Sequence, residues 1–116
     1  MKNSLLQAAT DREFDRVVEG SRVPVLVEFW KPGCGHCRAL MKELEQLQEE
    51  LGERVLILTM NVEEQFQIAA ELEISSLPAL GLYKNGEFVT FIGGLGNKGA
   101  IRTRIESVLV VEFDLQ

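Results

Sequence analysis

Cys34 and Cys37 are the only two cysteines of the chain, and they stand three residues apart in Lys31-Pro32-Gly33-Cys34-Gly35-His36-Cys37. On a helix that spacing puts two side chains on neighbouring positions, near enough for their sulfurs to join. The segment follows an apolar strand and opens a helix. Cys34 therefore falls where unpaired backbone N–H groups and the helix dipole favour an anion, and a thiol so placed is available as thiolate near neutral pH. Lys31, His36 and Arg38 add positive charge at the same place. Cys37 begins the apolar stripe that continues through Leu40, Met41 and Leu44, so it should point inward while Cys34 protrudes. Cys34 is thus the expected attacking sulfur and Cys37 the resolving one. Glu28 is an acid inside an apolar strand; burial raises a carboxyl pKa, which suits a group that takes the proton from Cys37. A plain carboxylate at a strand edge is the alternative reading of Glu28, and Trp30 reads equally as core or as substrate surface.

A zinc site is the competing chemistry for a Cys-x-x-Cys pair. A closed site needs four ligands, and the soft donors here are only Cys34, Cys37 and His36. No metal is expected within one chain, although a metal or cluster shared between two chains stays open. The expected redox group is the Cys34–Cys37 disulfide itself, with no further cofactor.

The elements that must position these groups follow from periodicity. Thr10-Asp11-Arg12-Glu13 fits a capping box before Phe14, Val17 and Val18 at helical spacing, with Gly20 as a stop. Val23 to Trp30 is β-branched and aromatic, with Pro24 tolerable only near its start; its near-continuous apolar character suits a strand covered on both faces. A helix from the cysteines to about Leu51-Gly52, a second buried strand over Val55–Val62 and a short helix over about Glu64–Glu73 follow. Strand, helix, strand within so few residues is a right-handed parallel crossover. Ala79 to Ile92 reads as a hairpin turned at Asn85-Gly86, a pair that accepts positive φ. Glycines then precede a last helix over about Lys98–Val110, and 111–116 either extends it or forms a loose tail. The order βαβαββα calls for an α/β fold, a central mixed sheet with helices on both faces. Chemistry in such sheets sits beyond the strand ends, where Cys34 lies.

Composition bounds the alternatives. The chain has 116 residues, 46% hydrophobic and 26% charged, enough to bury one core, and neither repeats nor linkers divide it; one domain over 1–116 is expected. Eighteen acids against twelve bases give a net charge of −6, which repels phosphate backbones and acidic lipid, so no nucleic acid and no membrane are expected as partners. Met1–Thr10 lacks the roughly seven apolar residues of a secretory core, and the longest apolar runs fall far short of the ~18 of a membrane span. A cytoplasmic monomer is the expectation.

The residues also resemble the thioredoxin family. Val25-Leu26-Val27-Glu28-Phe29-Trp30, the Cys34–Cys37 pair, Ser76-Leu77-Pro78-Ala79-Leu80, Tyr83-Lys84-Asn85-Gly86-Glu87 and Gly94 are similar to its successive motifs, in its order and at matching separations. The resemblance covers the chain from about Thr10 to Leu109. It implies the thioredoxin fold, a five-stranded mixed sheet with four helices, and exchange of protein disulfides at the cysteines, with a separate reductase returning the electrons. It further implies a cis proline at Pro78 beside the cysteines, with the backbone of Leu77 pairing to substrate, Gly94 allowing close approach, and Trp30 and Gly33 around that edge.

The departures from the family pattern have consequences. Cys-Gly-His-Cys replaces the usual Cys-Gly-Pro-Cys and looks like the protein disulfide isomerases. Gly33 stands where a tryptophan is usual, Glu28 where the buried aspartate is usual, Thr59 in place of its lysine partner, Lys42 in place of a helix proline and Ala79 in place of a threonine. Without the lysine, Glu28 should be harder to ionise. His36 should stabilise the Cys34 thiolate and so the reduced form, which implies a potential of roughly −250 to −180 mV. Reduction of protein disulfides is the leading reading, with disulfide oxidation or isomerisation second, and a partner-binding module without turnover third.

Overall fold

Val25–Trp30 is the strand that everything else covers. In the computed structural model, which describes residues 6–93 and 96–109, the elements run β1 (Gln7–Ala8), α1 (Asp11–Gly20), β2 (Val25–Trp30), α2 (Gly35–Leu51), β3 (Leu56–Asn61), α3 (Gln67–Glu71), β4 (Ala79–Lys84), β5 (Glu87–Phe91) and α4 (Lys98–Val108). They form a five-stranded sheet in the order β1-β3-β2-β4-β5. β2 pairs parallel with β3 and antiparallel with β4, so its backbone is bonded on both sides. The mixed sheet, its helices and the α/β thioredoxin fold agree with the expectation.

Strand alternation sorts the core into two layers. Val25, Val27 and Phe29 face Phe14 and Val18 of α1 and Ile68 and Ala69 of α3. Leu26 faces the other way, onto Leu40, Leu44 and Leu47 of α2 and Ile101 and Ile105 of α4. Each large apolar side chain so buried contributes about 1.5–3 kcal/mol, which is why a strand covered on both faces reads as a nearly continuous apolar run. The same alternation puts Glu28 on the α2 side of the sheet.

Polar side chains fix the connections. Gln48 of α2 donates through Nε2 to the carbonyls of Gly52 (3.1 Å) and Val55 (2.8 Å), and its Oε1 accepts from the Ile57 amide (2.9 Å). Among the described residues β1 pairs with Leu58 and Thr59, and the Gln48 side chain supplies the acceptor for the next amide of β3, that of Ile57. Asp11 caps a second helix: its carboxylate accepts from the Gln67 and Ile68 amides at 3.0 Å each, while Gln65 Oε1 accepts from the Asp11 amide at 2.8 Å. Asn97 caps α4 by accepting from the Ala100 amide (2.8 Å), and Glu43 of α2 accepts from the Lys98 amide (2.8 Å). Lys98 also pairs with Glu50.

Several expectations need correcting. β1 carries no sequence signal, because two exposed residues cannot show alternation. The capping box forms by half: the Thr10 hydroxyl accepts from the Glu13 amide (3.3 Å), but Glu13 turns outward to Arg16. β2 starts at Val25, since Pro24 has no amide to give the ladder. α3 is shorter than Glu64–Glu73, because the amides of Glu64 and Gln65 close a turn onto the Asn61 carbonyl. α4 ends at Val108, and the expected continuation or tail over 111–116 lies outside the described residues. The hairpin turn is as expected, with Asn85 at φ 56° and Gly86 at φ 81°. Among the described residues no helix is long and apolar enough to cross a membrane.

Candidate active site

The chain leaves β2 through a tight turn. The Cys34 amide donates to the Lys31 carbonyl (3.4 Å), with Pro32 and Gly33 between them and Gly33 at φ 84°. Proline followed by a residue of positive φ is the arrangement of a type II turn. A Cβ on Gly33 would meet nothing within 4 Å, so the backbone conformation, not crowding, calls for glycine.

This turn delivers Cys34 to the N-cap of α2. Its Sγ accepts from the Cys37 amide at 3.1 Å, taking the place that a serine or aspartate oxygen usually fills. Cys34 and Cys37 are joined as a disulfide, with Cα atoms 5.2 Å apart. Cys37 is fully buried at the head of the α2 stripe, whereas Cys34 is half-exposed. An incoming nucleophile or disulfide meets Cys34 first, and a charged sulfur there would keep the N–H bond it already accepts.

Glu28 is fully buried, and neither of its carboxyl oxygens has a hydrogen-bond partner among the described residues. Burial pushes its pKa from 4.5 up to about 8. Its register neighbours are Thr59 on β3 and Leu80 on β4, so no cation flanks it within the sheet. The edge-strand reading of Glu28 is thereby excluded.

Two clefts flank the disulfide. One, of about 530 Å³, runs between Cys34 and Lys31 and the segment Ile74-Ser75-Ser76-Leu77; the other, of about 370 Å³, runs between Ala39 and Leu40 and the pair Pro78 and Leu80. His36 is exposed and borders both. The Leu77–Pro78 bond is cis. The structure thus brings Cys34, Cys37, His36, Leu77 and Pro78 together. Trp30 is half-buried at the end of β2, its carbonyl accepting from the Val62 amide (2.8 Å), and lines neither cleft. Gly94 lies outside the described residues. Ile74, Ser75 and Ser76 have no site role in the sequence reading, although Ser76 stands in the motif around Pro78; their closeness to Pro78 is the available signal.

A disulfide at a helix cap, one sulfur accessible and one enclosed, defines a protein of the thiol–disulfide exchange class. Comparison with known proteins makes the assignment particular. The family model for Thioredoxin matches residues 5–107. Over 92 residues the chain is 37% identical to thioredoxin of Rickettsia bellii, covering 79% of this chain and 88% of that one. Over 106 residues it is 30% identical to thioredoxin 1 of Synechococcus elongatus, covering 91% and 99%. Over 86 residues it is 38% identical to thioredoxin of Haemophilus influenzae, covering 73% and 80%. The chain belongs to the thioredoxin family, and it is a thiol–disulfide oxidoreductase that reduces disulfides through the Cys34–Cys37 pair. The family acts on protein disulfides, is returned to the dithiol by a reductase and needs no bound cofactor.

Proposed function

We propose that the two sulfurs divide the reaction by depth. The Cys34 thiolate attacks one sulfur of a substrate disulfide, forming a mixed disulfide and releasing the other substrate sulfur as a thiolate. With its pKa at about 8, Glu28 is ionised in a minority of molecules at neutral pH; in these it takes the Cys37 proton, and Cys37 attacks the Cys34 sulfur. This closes the Cys34–Cys37 disulfide and releases the second substrate sulfur, so two electrons pass to the substrate. A reductase reopens the disulfide. The observation that carries this reading is the placement of Cys34 Sγ on the Cys37 amide at the helix cap, 3.1 Å away, with Cys37 enclosed behind it.

His36 stabilises the attacking thiolate, and the backbone at Leu77, before Pro78, receives an extended substrate segment, with Trp30, Gly33 and Gly94 around that edge. The whole chain acts as one domain and a monomer. A cytoplasmic location fits the reducing direction, because the glutathione poise there keeps most dithiols reduced. The deciding experiment is Cys37→Ala: partners should remain covalently attached through Cys34 and be released by dithiothreitol. Attachment through Cys37 in a Cys34→Ala variant instead would reverse the roles.

A further inference from the structure

β5 is an edge strand, yet it exposes Phe88, Val89 and Phe91. The register against β4 explains how two of these come to share a face. Tyr83 pairs with Phe88 and Leu82 with Thr90, so Val89 is the extra residue of a bulge. Strict alternation would set Phe88 and Phe91, three apart, on opposite faces; the bulge turns both to the α1 side. Their rings lie 4.9 Å apart, and Phe88 stacks edge-on to Tyr83 at 5.5 Å, which in turn meets Phe14 at 5.1 Å. Gly81 lies beneath, where a Cβ would meet the Phe88 ring at an ordinary contact distance of 3.4 Å. The row is anchored in the core at Phe14 and Tyr83 and ends at two rings that are 36% and 39% exposed. Anchoring of this kind holds the outer rings in place before anything binds them.

Phe91 also lines a third cleft, of about 260 Å³, with Ile74, Ser75, Pro78 and Ala79. That cleft shares Ile74, Ser75 and Ser76 with the cleft holding Cys34, and Pro78 and Leu80 with the cleft lined by Ala39 and Leu40. The aromatic surface is therefore continuous with the place where a substrate must lie.

We propose that Phe91, backed by Phe88, is a specificity-determining subsite that receives one bulky apolar side chain of the protein segment whose disulfide Cys34 attacks. The proposal rests on the exchange mechanism above and names its substrate class: extended segments with an aromatic or large aliphatic residue a few positions from the reacting cysteine. At about 3.3 Å per residue, an extended segment passing Pro78 continues toward β5. Burial of the side chain against the two rings acts on recognition, and the electron transfer is unchanged.

The test uses the full chain and a series of disulfide peptides, each carrying a single Phe moved stepwise through an otherwise Ser/Gly sequence, with dithiothreitol as reductant. At one position Phe should raise kcat/KM about tenfold over Ser in the wild type, the size expected for one large apolar group in a pocket. In Phe91→Ser that ratio should fall to about one, in Phe88→Ser it should fall part of the way, and Phe91→Leu should keep most of it. A wild-type ratio of one at every position, or a ratio that survives Phe91→Ser, overturns the proposal. So does self-association of the wild type that Phe91→Ser abolishes, since the patch would then belong to a second copy. Failure of the wild type to reduce any peptide would instead count against the exchange mechanism, and the two failures are separable.

Discussion

Cys34 and His36 occupy the cap and the first turn of one helix, and their effects differ in kind. The Cys37 amide reaches Cys34 through the backbone, so its contribution survives any side-chain change nearby. His36 acts only through its own imidazole, exposed between the two clefts. On the role proposed for His36, replacing it with the proline of the Cys-Gly-Pro-Cys pattern removes a group that favours the thiolate, and so weakens the reduced form. His36→Pro should therefore shift the potential in the negative direction by tens of millivolts, toward the roughly −270 mV of thioredoxin and away from the roughly −180 mV of disulfide isomerase. Redox titration of both proteins against glutathione checks this, and a shift in the positive direction would contradict the role given to His36. Cys34, Cys37 and His36 were legible as a site because their chemistry is local: a helix start and three residues of spacing define it.

The elements hold that site by a small number of polar ties. β3 is the clearest case, because next to its pairing with β1 the Ile57 amide is held by the side chain of Gln48. Gln48→Ala removes three hydrogen bonds and leaves the Ile57 amide without its partner. The expected cost is about 1–3 kcal/mol of unfolding free energy, read as a lower denaturant midpoint with unchanged slope. The effect on peptide reduction at a temperature where both proteins are folded should be slight, because Gln48 is at the far end of α2 from the disulfide. Helices, long strands and the hairpin at Asn85-Gly86 were legible because they repeat a pattern over several residues. The Val89 bulge was not, since its signal is a change of register against a partner strand that one strand's own sequence does not contain.

Glu28 couples the whole molecule to pH. Its pKa is about 8 in the folded chain against 4.5 when unburied, so between those values the folded state holds a proton that the unfolded state has lost. Stability from this group is complete below about pH 4.5 and is lost as pH rises through about 8. The slope is at most ~1.4 kcal/mol per pH unit, and the loss is on the order of 5 kcal/mol in all. Denaturant unfolding of the disulfide form at pH 5, 7 and 9 should show this decline, and Glu28→Gln should flatten it. Equal slopes in the two proteins would mean that burial does not hold the proton on Glu28.

The amino-acid order alone determined the exchange chemistry, the choice of outer and inner sulfur, the α/β class and most element positions, because each depends on neighbours within a few residues or on a period of two or of about four. Tertiary structure alone decided that Glu28 is fully buried with no hydrogen-bond partner among the described residues, that Ile74 and Ser75 line the cleft of Cys34, and that Phe88 and Phe91 share one face. Each of these is a relation between segments dozens of residues apart in sequence or on separate strands. Such relations arise from how the sheet is ordered and how both its faces are covered, and no local pattern encodes them.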